Sequence, residues 1–129
     1  MQSTREQVLG AIKQGDVIYG VAAGGQEKLM FVYKATPSAI LARHVTTQTK
    51  VEFGRDGRSR RCEGGGSCTI VSAAPLPAAE YEVVLSLDRK MREAKELSDF
   101  RLTTAEIQLL LTKAEFFLSR PLPEGSEPA

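Results

Sequence analysis

Lys50 to Pro77 reads KVEFGRDGRSRRCEGGGSCTIVSAAPLP, and the fold turns on this stretch. Val51 and Phe53 alternate with Lys50 and Glu52, the period-two pattern of a half-buried strand. Gly54-Arg55-Asp56-Gly57 follows, and Asp-Gly takes the positive φ angles that a tight hairpin needs. Arg58 to Cys62 then returns as a polar edge strand. Gly64-Gly65-Gly66-Ser67 turns the chain again into Cys68 to Ser72, a short buried strand. Ala73-Ala74-Pro75-Leu76-Pro77 closes the β region, because two prolines so near each other do not fit in a ladder.

Upstream the same alternation extends back to Asp16. Val17, Tyr19 and Val21 alternate with Ile18 and Gly20, and Ala23-Gly24-Gly25-Gln26 marks a turn. Lys28 to Ala35 is apolar on both faces and predicts a central strand. Thr36-Pro37-Ser38 breaks it. Ala39 to Val45 is the next strand, and Thr46 to Phe53 is expected to continue extended. Before the strands, residues 3–14 predict a short helix: Ser3 and Glu6 form an S-x-x-E capping box, and Gly15 sits where a left-handed cap belongs.

Downstream the period changes to helical. Pro77-Ala78-Ala79-Glu80 opens a helix, with Val84, Leu87, Met91 and Ala94 on one stripe and Leu97 close to it. Tyr81, Val83, Leu85 and Leu87 also alternate as a strand would, but the flanking segments favour helix. Residues 98–102 are a connector. Thr103-Thr104-Ala105-Glu106 is a second capping box, opening a helix to about Leu118 with Ile107, Leu110, Leu111, Ala114, Phe117 and Leu118 on a wide apolar face. Residues 121–129 read as a disordered tail. The expectation is one α+β domain over residues 1–120. It has a short N-terminal helix, then five or six antiparallel strands over 16–72 in a small SH3-like barrel or twisted sheet, and an antiparallel helical hairpin over 77–118.

With 129 residues, 42% hydrophobic and 26% charged, the chain fits one globular domain and not a disordered tail or a disulfide-framework miniprotein. No apolar run approaches the length of a membrane span, and the N-terminus lacks a signal-peptide core, so a cytoplasmic location is expected. The net charge of +1 conceals an asymmetry: residues 1–72 hold ten basic and six acidic groups, residues 73–129 seven and ten. Arg43, Lys50, Arg55, Arg58, Arg60 and Arg61 fall within one short span that holds only Glu52 and Asp56 as acids. With His44, these seven residues are the candidate contact to nucleic acid (RNA favoured) or to an acidic protein. Tyr19, Phe31, Tyr33 and Phe53 are the aromatics available to a base. Solvation of strand faces is the plainer account of the same charges.

Other motifs carry less. Cys62 and Cys68 flank one turn and read as structural thiols, and two Cys with one His fall short of a zinc ligand set, so no metal or cofactor is expected. Gly64-Gly65-Gly66-Ser67 lacks the lysine and following helix of a phosphate loop. No partner for His44 in acid–base chemistry is visible by spacing, and no small-molecule substrate is evident. Leu110, Leu111, Phe117 and Leu118 spread over more than one helical face and are the candidate homodimer interface.

Gly15-Asp16-Val17-Ile18, the Gly-rich loop with Gln26-Glu27 and the apolar strand after it resemble the start of the toxin endoribonucleases with an SH3-like barrel. The resemblance covers roughly twenty residues, and Lys28-Leu29 stands where that family has an Arg-Pro pair. It implies a barrel, and no catalytic residue is carried over. Three functions are ranked on these grounds. The first is a non-catalytic binding module with a basic β-hairpin, the second an adaptor acting through the helical hairpin, and the third a small ribonuclease of toxin type.

Overall fold

The computed structural model describes residues 4–97 and 101–123. Its elements are α1 (Arg5–Ala11), β1 (Val17–Ala22), β2 (Glu27–Thr36), β3 (Ala39–His44), β4 (Lys50–Gly54), β5 (Ser59–Cys62), β6 (Cys68–Ser72), α2 (Ala78–Leu97) and α3 (Thr104–Leu118). The six strands form one antiparallel half-barrel in the order β5-β4-β3-β2-β1-β6. β2 lies inside this order, as a strand apolar on both faces must. The two edge strands meet beside an isolated bridge, Arg58–Thr69, where the Ile70 N–H donates to the Gly57 carbonyl at 2.8 Å and the Cys68 N–H to Ser59 Oγ at 2.9 Å.

Alternation sorts the strand residues onto two faces. Ile18, Met30, Val32, Ile40, Ala42, Val51, Phe53, Cys68 and Ile70 fill the concave face, with Leu9 and Ile12 beneath them. Val17, Tyr19 and Leu29 point outward and are covered by Val84, Leu87, Met91 and Ala94 of α2 and by Phe117 of α3. Phe117 stacks on Tyr19 with centroids 5.5 Å apart. The helices run antiparallel, tied by Glu80–Lys113 at one end and Lys90–Glu106 at the other. Gly20 is required by close approach: a Cβ there would lie 2.7 Å from Met30 Cε and 2.9 Å from the Thr69 carbonyl oxygen.

Several local expectations are corrected. The first helix is capped by Thr4 and Gln7, which exchange hydrogen bonds of 2.8 and 3.1 Å, and it ends at Ala11; Ser3 lies outside the described residues. Residues 46–49 are a turn and not extended chain, with Gln48 at φ 61° and its amide bonded to the carbonyl of Val45. Leu97 is exposed, and so are Ile107, Leu111 and Leu118, whereas Lys113 is buried with Glu80 as its partner. The tail is not free at Leu122: its N–H donates to the Val71 carbonyl at 2.8 Å and its side chain joins the concave core. Proline on both sides of Leu122 favours the extended backbone this docking needs. The expected disorder of 124–129, and part of the connector, 98–100, lie outside the described residues. The second capping box is where the spacing puts it, with Thr103 Oγ1 accepting from Glu106 N–H at 3.1 Å.

Candidate nucleic-acid interface

The structure divides the basic residues into two groups. Arg43 faces outward from β3 and is spent on Asp88 of α2, donating from Nε at 3.1 Å and from the terminal nitrogen at 2.7 Å. The guanidinium also lies over the Phe31 ring. Asp88 is buried and further accepts from Gln48 Nε2 at 3.0 Å, with Arg92 at 3.3 Å. This cluster docks α2 onto the sheet. Arg55 is equally committed: it donates to the carbonyls of Thr36, Leu9 and Ile12 at 2.7 to 3.0 Å, tying the β4–β5 turn to α1.

Lys50, Arg58, Arg60 and Arg61 are exposed and form no ion pair among the described residues. β4 and β5 place Lys50, Glu52 and Arg61 on the convex face, since Glu52 pairs with Arg61 in register. α2 and α3 leave this part of the face uncovered. Tyr33, Leu41, Lys50, Glu52 and Arg61 line a shallow groove of about 390 Å³ there. Lys50 Nζ sits 5.8 Å from the Tyr33 ring centroid. Burial raises the Tyr33 pKa, against the lowering field of Arg43, so the phenol is neutral at physiological pH. The Arg43 guanidinium lies at the same 5.8 Å from this ring and Arg61 lines the same groove, so a half-buried aromatic stands among cations, an arrangement that suits a stacked base with phosphates alongside.

His44 sits apart from this groove. Its strand neighbours alternate, so Arg43 points to α2 while His44 shares the concave face with Ala42 and pairs across β2 with Met30. It lies at the end of the barrel ringed by the turns 23–26, 45–49 and 63–67. Burial, and then the charge of Lys28, push its pKa down to about 4, so the imidazole is neutral. Nδ1 is 3.4 Å from Thr47 Oγ1, and buried Nε2 has no hydrogen-bond partner among the described residues. Cys62 and Cys68 are free thiols at the same end. Burial, and then the neighbouring Cys62, raise the Cys68 pKa to about 11. Among the described residues no group of three or more His, Cys, Asp or Glu is arranged to hold a metal ion, and no helix is long and apolar enough to cross a membrane.

Of the expected oligomer contacts, Leu111 and Leu118 are exposed and Leu110 is half-buried against the helical core. Phe117 is fully buried within its own chain and has no surface to offer a partner. Sequence reasoning placed Tyr33 among the candidate aromatics but did not single it out. The signal was the outward alternation of Leu29, Phe31 and Tyr33, the last of which sits where the β2–β3 register shifts between Val32 and Lys34. Compared with known proteins, the chain matches no family model, no curated protein and no solved structure. The class defined by the fold is an α+β small half-barrel with a helical hairpin over half of its convex face.

Proposed function

We propose that this protein is a non-catalytic module that binds single-stranded nucleic acid, RNA in preference, on the uncovered convex face of β3–β5. The observation that carries this is the Tyr33 groove lined by Lys50 and Arg61, with Arg60 on β5 and Arg58 just before it also exposed. Tyr33 supplies the stacking surface, and the four cations follow the backbone. Arg43 and Arg55 support the face from below, holding α2 and α1 in place.

Fluorescence anisotropy of a labelled single-stranded RNA tests this. Four phosphate contacts give a salt slope of about −3 in log K, a loss of roughly fiftyfold between 50 and 200 mM salt. Arg58→Glu, Arg60→Glu and Arg61→Glu together weaken binding by about tenfold or more at 50 mM salt and flatten the slope. Tyr33→Ala weakens binding by about 1–3 kcal/mol at every salt concentration. Binding that is unchanged in the triple variant contradicts the proposal.

A second reading rests on the exposed apolar residues of the hairpin. Val83, Ile107, Leu111 and Leu118 are each about half exposed and suit an adaptor surface for another protein. A ribonuclease reading has less support, because the His44 ring has no hydrogen-bonded carboxylate among the described residues to pair with it.

A further inference from the structure

Strand register lays the convex groove out in two rows. Lys34 pairs with Leu41, Leu41 with Glu52 and Glu52 with Arg61, so these four residues form one row across β2–β5. Phe31, Arg43 and Lys50 form a neighbouring row on the same face. Between the rows the β2–β3 register passes from Val32 opposite Ala42 to Lys34 opposite Leu41, which leaves Tyr33 as the extra residue of a bulge. Glu52 is half-buried in the groove beside Tyr33 and forms no hydrogen bond or ion pair among the described residues. Glu63, the other acid of the groove, is exposed and accepts from the Lys50 backbone N–H at 3.3 Å. A carboxylate on the floor of a cationic groove repels phosphate, so its favourable contact with a bound strand is to hydrogen-bond donors.

We infer that the groove selects guanine: the base stacks on Tyr33 while its N1–H and 2-amino group donate to the Glu52 carboxylate, which makes Glu52 the specificity-determining residue. The inference rests on the proposed function and deepens it. An ionised carboxylate only accepts, and it does so through two oxygens side by side. Guanine alone among the four common bases carries two adjacent donors on its pairing edge. Adenine and cytosine set one amino group beside an acceptor, and uracil has one N–H between two acceptors. Each of those acceptors would face a carboxylate oxygen with no proton between them. Hydrogen bonds to an ionised acceptor are about twice as strong as neutral ones, so the mismatch is costly. Single-stranded RNA is commonly read in this way, by unstacked bases held on an aromatic ring and hydrogen-bonded along their edges. Lys50 in one row, and Lys34 and Arg61 at the two ends of the other, leave cations on either side for the phosphates.

The test is competition binding to the intact protein at 50 mM salt, where phosphate contacts are strong. The competitors are short oligouridines whose central base is uracil, guanine, adenine, cytosine or the hypoxanthine of inosine. The guanine strand is expected to bind about tenfold or more tighter than the all-uracil strand. The inosine strand falls between them, because it keeps N1–H and lacks the 2-amino group. Glu52→Gln removes most of the guanine advantage and Glu52→Ala all of it, while both strengthen binding of the all-uracil strand by removing a negative charge. Melting curves of both variants confirm that they remain folded. Equal binding of all the strands, or a preference for another base, overturns guanine selection and leaves the proposed function standing. A guanine preference that survives in both variants overturns the role of Glu52. Failure of every strand to bind overturns both proposals.

Discussion

The two ends of the barrel are made from similar strand ends and differ in what fills them. At one end α1 acts as a plug: Leu9 and Ile12 are buried in the concave core, and Arg55 donates to the carbonyls of Leu9 and Ile12 at the C-terminal end of α1. At the other end no described residue plays that part, and the inward positions hold His44, Cys62, Cys68 and Lys28 around a cavity. The first end spends its polar groups on the protein itself. The second leaves one buried nitrogen unpaired among the described residues and two turns rich in glycine.

The largest expected effect is at the plugged end. Leu9→Ala removes a buried side chain and destabilises by about 2–5 kcal/mol, read from denaturant unfolding, with little effect on RNA affinity in the remaining folded fraction. Arg55→Met comes next, at about 2–4 kcal/mol, since four donated hydrogen bonds are lost and three carbonyl groups lose a partner. Gly20→Ala follows, at about 1–3 kcal/mol, because the added carbon meets backbone as well as Met30. A neutral result for Leu9→Ala or Arg55→Met removes the distinction between the two ends.

His44→Leu is predicted to behave in the opposite sense, leaving thermal stability unchanged or raised, since it deletes an unsatisfied buried atom. The pH dependence sharpens this. The unfolded imidazole takes a proton below about pH 6.5, while the folded one, depressed by burial and by Lys28, stays neutral to about pH 4. The native state therefore loses stability as pH falls through this window, and the loss levels off below about 4. Discounted for the ring's partial contact with water, the His44 contribution is roughly 1–2 kcal/mol. Unfolding curves at pH 7 and pH 4.5 should differ less for His44→Leu than for the wild type by that amount. The smallest effect belongs to Lys50→Ala and Arg61→Ala, each within about 0.5 kcal/mol in stability, both weakening RNA binding.

Much of this was legible where it depended on neighbours in sequence. The Thr103–Glu106 capping box, the Asp56–Gly57 turn and the inner position of β2 all follow from local pattern. The Arg43–Asp88–Gln48 cluster was not, because its members are brought together from 40 to 45 residues apart and carry no joint signature. Lys113 reads as a surface lysine until α2 brings Glu80 to it. The basic patch was legible as composition but not as geometry. Strand parity places Arg43 and His44 on opposite faces, and grouping them as one patch set that parity aside. Leu122 was hidden by the prolines around it, whose composition reads as a tail although their extended backbone is what lets the leucine dock on β6.

The measurement that bears most directly on the account is an amide titration of the labelled protein with a short mixed-sequence single-stranded RNA, at 50 and then 200 mM salt. The account predicts shifts at Tyr33, Lys50, Arg58, Arg60 and Arg61 that weaken steeply with salt, with Leu9, Ile12 and the α1 end unmoved. Shifts concentrated on α1, or on the helical hairpin at Ile107, Leu111 and Leu118, or no shifts at low salt, would contradict it.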